Sequence, residues 1–111
     1  MTFDLLIRIA DRLSQVSTGS PEADRAIHDA FGRDGPVLPF TREEQVARLL
    51  LPAGFEWRDP VHSPKAVYAS CRRVGLDGGF PYPHHGQWSQ TPALAMSGAV
   101  LRVRAAEVRD V

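Results

Sequence analysis

The chain has 111 residues, enough for one domain with a single core that buries roughly two-thirds of the surface exposed by its unfolded chain. Thirteen Lys+Arg balance thirteen Asp+Glu, so overall charge draws the protein toward neither nucleic acid nor an anionic membrane, and no apolar run approaches the length of a membrane span. Cys71 is the single cysteine, which excludes an intrachain disulfide and favours a reducing, cytoplasmic compartment.

Leu5, Leu6, Ile9, Leu13 and Val16 recur at three- and four-residue spacing behind a Thr2 cap, with Asp4, Arg8, Asp11 and Arg12 opposite, which predicts an amphipathic first helix. Charges distributed through Met1 to Val16 are unlike a signal peptide. Ser17 to Ser20 breaks the pattern. Ser20 then caps a second helix and Pro21 opens it, because proline at the first helical position forfeits no intrahelical hydrogen bond. Ala23, Ile27, Ala30 and Phe31 form its buried side, Glu22 and Asp24 sit near the positive end of its dipole, and Gly32 stops it. Residues 32–40 hold two glycines and two prolines and read as a connector. Thr41 and Glu44 fit a capping box launching a short helix with Val46, Leu49 and Leu50 on one side, ended by Pro52 and Gly54.

Phe55 to Arg58 alternates at period two, and Ala66 to Arg72 is rich enough in Val and Tyr for a second strand. Their short separation predicts antiparallel neighbours covered by the last helix, with Trp57 in the core, so that Trp57→Ala costs about 3 to 5 kcal/mol and Trp88→Ala less. From Val74 to Gln90 there are four glycines, two prolines, two histidines and three aromatics without periodicity. So long a connection predicts either a short strand near Phe80 and Tyr82 or a functional loop. Thr91 caps and Pro92 opens the longest helix, which is apolar on two sides: Leu94, Leu101, Ala105 and Val108 on one, Met96, Ala99 and Val103 on nearly the opposite one. The first set is expected on the sheet. The second is expected under the early helices, the Phe80 to Trp88 segment or another molecule, leaving an apolar patch for self-association as a homodimer. The layout predicts an α+β domain, layered helix/sheet/helix, with three N-terminal helices, a small antiparallel sheet and a long C-terminal helix.

The Thr91-Pro92-Ala93-Leu94-Ala95 entry into this Ala/Leu/Arg-rich helix follows Pro52, Ala53, Gly54, Phe55, Glu56 and Trp57 by some thirty residues. Together with the acidic-aliphatic helix from Phe3 to Leu13, it resembles the phage ABA sandwich domain family of small bacteriophage proteins. The resemblance implies a layered helix/sheet/helix fold and a phage or prophage origin, and carries over no catalytic residue. The segment Arg73 to Gln87 departs from the family pattern, so any role it has is particular to this chain.

Motifs that carry chemistry are sparse. His62, Cys71, His84 and His85 lack the close pairs of a zinc site, and neither metal nor cofactor is expected. Cys71 with His84 or His85, oriented by Asp77, is the material for a small hydrolase or metal-dependent enzyme, although no helix start or oxyanion turn lies beside the thiol. Gly75, Gly78 and Gly79 lack the Lys-Ser/Thr of a phosphate loop. Arg72, Arg73, Arg102, Arg104 and Arg109 with Tyr82 and Trp88 would form a single-stranded nucleic-acid surface if they shared one face. The segment containing Phe80, Tyr82, His84, His85 and Trp88, stiffened by Pro81 and Pro83, suits protein recognition. The leading expectation is therefore a non-enzymatic phage accessory protein that acts by protein contact.

Overall fold

The computed structural model describes residues 3–74 and 85–109. Three N-terminal helices, a small antiparallel sheet and a long C-terminal helix follow one another along the chain. Helices α1 (Phe3–Gln15) and α2 (Pro21–Ala30) precede α3 (Glu44–Ala47), which continues into a 3₁₀ turn at Arg48–Leu50. Strands β1 (Phe55–Trp57), β2 (Val61–His62), β3 (Val67–Arg73) and β4 (His85–Ser89) then lead to α4 (Pro92–Arg109).

The expected caps of α2 and α4 are present. Ser20 Oγ accepts from the Ala23 amide at 3.1 Å and Thr91 Oγ1 from the Leu94 amide at 3.2 Å, each ahead of a proline that needs no partner. Beyond α2, Gly32 takes φ 60°, the left-handed conformation that glycine adopts without steric cost. The capping box at Thr41 is a correction: α3 begins at Glu44 behind Glu43, with no side-chain cap. Thr41 instead donates its amide and hydroxyl to Asp24 Oδ1, at 2.7 and 2.5 Å, while Arg42 Nε meets Asp24 Oδ2 at 2.8 Å. Asp24 is completely buried, and a carboxylate removed from water draws donors from wherever the fold offers them. The connector before Thr41 likewise carries Phe40 into the core, where its carbonyl accepts from Ser97 Oγ at 3.0 Å.

In the sheet, β3 is central. β4 pairs with Val67 through Cys71, so β1 and β2 share the opposite edge, at 71–73 and 67–68. The expected pairing of the Phe55 and Ala66 segments is thus present, with Trp57 opposite Cys71. The strand after the second segment is β4, beginning at His85; the positions Phe80 and Tyr82 lie outside the described residues. Period-two alternation turns Val67, Ala69, Cys71, Gln87 and Ser89 toward the helices and Tyr68, Arg72, Gly86 and Trp88 away from them.

Helix α4 is buried continuously from Ala93 to Leu101, consistent with its apolar residues on two sides. The side expected on the sheet packs on α1 instead, while Met96 on the other side meets both an N-terminal helix and the sheet. Leu94, Leu101 and Ala105 join Leu6, Ala10 and Leu13 of α1, with Ile27 and Phe40, while Val108 is partly buried against the same cluster. Met96 joins Ala47 of α3 and Ala69 of β3. Ala99 and Val103 continue that side along the helix. Met96, Ala99 and Val103 are 1 %, 0 % and 1 % exposed, so the self-association patch expected there is corrected: the chain itself buries all three, Met96 against Ala47 and Ala69.

Trp57 is half-buried and packs against both clusters, and its Nε1 is buried without a hydrogen-bond partner. Partial burial lowers the expected cost of Trp57→Ala to about 2 kcal/mol, and Trp57→Phe sacrifices no hydrogen bond. Urea denaturation should rank Trp57→Ala as the most costly, with Trp57→Phe and Trp88→Ala both milder; equal losses for Trp57→Ala and Trp88→Ala would assign Trp88 a core role.

Candidate functional site

The side of the sheet turned away from the helices carries a row of large side chains that no described element covers. Tyr68 lies opposite Trp88 on one neighbour and opposite Val61 on the other. The Tyr68 and Trp88 rings are tilted by 45° with centroids 5.2 Å apart, a favoured aromatic geometry. A Cβ at Gly86 would collide with the ring and hydroxyl of Tyr68, so the glycine lets the tyrosine lie across β4 beside Trp88. Trp88 is 46 % exposed and Val61 52 % exposed, giving a continuous apolar ridge across three strands. Beside it, Arg72 Nε meets Glu56 Oε1 at 2.6 Å, in register as cross-strand neighbours. A shallow cleft of about 510 Å³ between ridge and ion pair is also lined by Arg58 and Asp59. Two arginines face two carboxylates there, so the cleft is neutral.

Of the residues singled out for partner binding, Trp88 belongs to this ridge, on a strand rather than a loop. His85 is at the start of β4 with its backbone opposite Cys71, while its side chain lies outside the described set, as do Phe80, Tyr82 and His84. Asp77 and the glycines at 75, 78 and 79 lie outside it as well. Tyr68 and Val61 were absent from the expected site. The signal for Tyr68 was available: alternation through Ala66 to Arg72 separates Tyr68, Ser70 and Arg72 from Val67, Ala69 and Cys71.

The arginines do not gather. Arg72 faces the open side, whereas Arg73 stacks over the Phe55 ring on the other, 5.5 Å from its centroid. Arg102 holds Gln87 Oε1 at 2.9 Å and Asp11 Oδ1 at 2.7 Å, and the Arg109 side chain lies outside the described set. Among the described residues, β3 alternation and the Gln87 contact set Arg72, Arg73 and Arg102 apart from one another. No group of three His, Cys, Asp or Glu side chains among the described residues is arranged to hold a metal ion.

Cys71 points toward the helices and is fully buried; burial pushes its thiol from the ordinary 9.0 up to about 12. A thiol held protonated in this way is a poor nucleophile at neutral pH. The folded value lies above the unfolded one, so the stabilisation is complete below pH 9.0 and is lost as pH rises toward about 12. Cys71 should resist an aromatic disulfide reagent at neutral pH until the chain is denatured, and Cys71→Ala should flatten the alkaline decline in stability. Rapid native labelling would contradict the burial argument.

Compared with family models, curated proteins and solved structures, the chain matches none.

Proposed function

We propose that this chain is a non-enzymatic recognition module that acts by protein contact through the Val61–Tyr68–Trp88 ridge. The observation that carries the reading is the aromatic pair of exposed Trp88 and half-buried Tyr68 on a sheet face that no described helix covers. Soluble proteins seldom leave large apolar groups contiguous on their surface without a partner, and tyrosine and tryptophan dominate the energetic centres of interfaces. The neutral cleft beside the ridge favours a protein partner over nucleic acid, whose binding is driven by unmatched arginine and lysine. The protonated Cys71 thiol supports a role without covalent chemistry. The resemblance at Pro52 to Trp57 and Thr91 to Ala95 supports a small phage or prophage accessory protein working in the host cytoplasm.

The test places a photo-crosslinking amino acid at Trp88 or Val61, with Leu49, itself 65 % exposed and on the 3₁₀ turn after α3, as control. In host cells the two ridge positions should yield the same discrete adduct and position 49 none. Adducts of equal yield at all three positions, or none at the ridge, would overturn the reading. Titration with single-stranded oligonucleotide should leave tryptophan fluorescence unchanged; salt-dependent quenching would favour base stacking on the same pair.

A further inference from the structure

On a different surface, a groove of about 400 Å³ runs between α1 and α2. Its floor is apolar: Ile9, Leu13 and Val16 come from α1, and Ala23 and Ala26 from α2. The groove exists because α2 presents alanines where longer side chains would fill the space opposite Ile9 and Val16. Ile9, Val16 and Ala23 are partly buried against the core and spend their remaining surface on the groove.

Arg8 and Arg12 stand on its rim, one helical turn apart. Both are exposed, and neither makes an ion pair with any described residue, whereas Arg25, Arg42, Arg72 and Arg102 each do. Glu22 is the carboxylate on the opposite rim, so two guanidinium groups overlook the apolar floor against one negative charge. We infer that the groove binds a single-chain alkyl carboxylate, with the chain on Ile9, Val16, Ala23 and Ala26 and the head group held by Arg8 and Arg12. Guanidinium forks match a carboxylate in plane and charge. The volume falls within the range of small-ligand sites.

Decanoate, kept below its micelle concentration, is the probe, followed by backbone NMR of the full chain. Saturable binding should shift the amides of Ile9, Val16, Ala23 and Ala26, and decanol, lacking the charge, should bind about tenfold more weakly. The double variant Arg8→Gln/Arg12→Gln, altered at exposed positions that leave the core intact, should reduce decanoate to the decanol level. Ala26→Leu, which fills the groove from α2, should abolish binding of both. Equal affinity for the two probes, shifts centred elsewhere, or no saturable binding would overturn the inference. Sedimentation with phosphatidylglycerol vesicles without decanoate binding would also overturn it, in favour of a membrane surface.

Discussion

Replacing Asp24 by alanine is expected to remove about 3 to 5 kcal/mol of stability, a large part of what holds a small domain together. The carboxylate is buried and accepts three hydrogen bonds, from the Thr41 amide, the Thr41 hydroxyl and Arg42 Nε. Its loss strands the Thr41 amide inside the protein, at a cost of about 1–3 kcal/mol unsatisfied, and leaves the Thr41 hydroxyl only the Ser20 carbonyl, at 3.3 Å. The same network fastens α2 to the connector, since the Ser20 amide donates to Thr41 Oγ1 at 3.1 Å. Arg42 is 47 % exposed, so Arg42→Ala should cost less: the carboxylate keeps its two Thr41 donors and water replaces the guanidinium. Chemical denaturation of the two variants decides the matter, and an Asp24→Ala protein within 1 kcal/mol, on the order of a surface change, would contradict this account of the network.

Gly98→Ala is expected to destabilise by about 3 kcal/mol, against the general rule for helices. Glycine inside a helix costs about 1 kcal/mol relative to alanine, so propensity alone predicts a gain. A Cβ on Gly98, however, would occupy the space of the Gln87 amide group. Gln87 is itself confined: Nε2 donates to the Ala10 carbonyl at 2.8 Å and to Ser89 Oγ at 3.2 Å, while Oε1 accepts from Arg102 Nε at 2.9 Å. Moving it breaks a buried junction of β4, α1 and α4, adding unsatisfied polar groups to the cost of overpacking. The double variant Gly98→Ala/Gln87→Ala should recover part of the loss, because the shorter side chain vacates the space. A thermal melt in which Gly98→Ala is more stable than the parent would show that Gln87 has room to move.

Only part of the proposed recognition face could be found in the sequence. Trp88 stood out as a large aromatic in an irregular segment, whereas Tyr68 lies twenty residues earlier in a different strand. Tyr68 becomes its partner because β3 and β4 pair antiparallel with Tyr68 opposite Trp88, a register that no local pattern encodes. Gly86 completes the arrangement by admitting the tyrosine ring, a role visible once the two strands are adjacent. The groove between α1 and α2 was equally hidden, since Arg8 and Ala26 belong to separate helices whose spacing depends on their common core.

By itself the sequence determined the elements whose signals are local. Hydrogen-bonding caps at Ser20 and Thr91, prolines behind them and apolar spacing of three and four set α1, α2 and α4, and period-two alternation set β1 and β3. Tertiary structure decided what those elements face. Thr41 matched a local capping pattern, but the demand of a buried carboxylate 17 residues away outweighed one cap bond. Likewise, two apolar sides on α4 guaranteed two covers without naming them, because burial rewards area removed from water and is indifferent to which apolar surface removes it. Shape made the assignment: Ala47 and Ala69 admit Met96, whereas the larger Leu94 and Leu101 interlock with Leu6, Leu13 and Ile27.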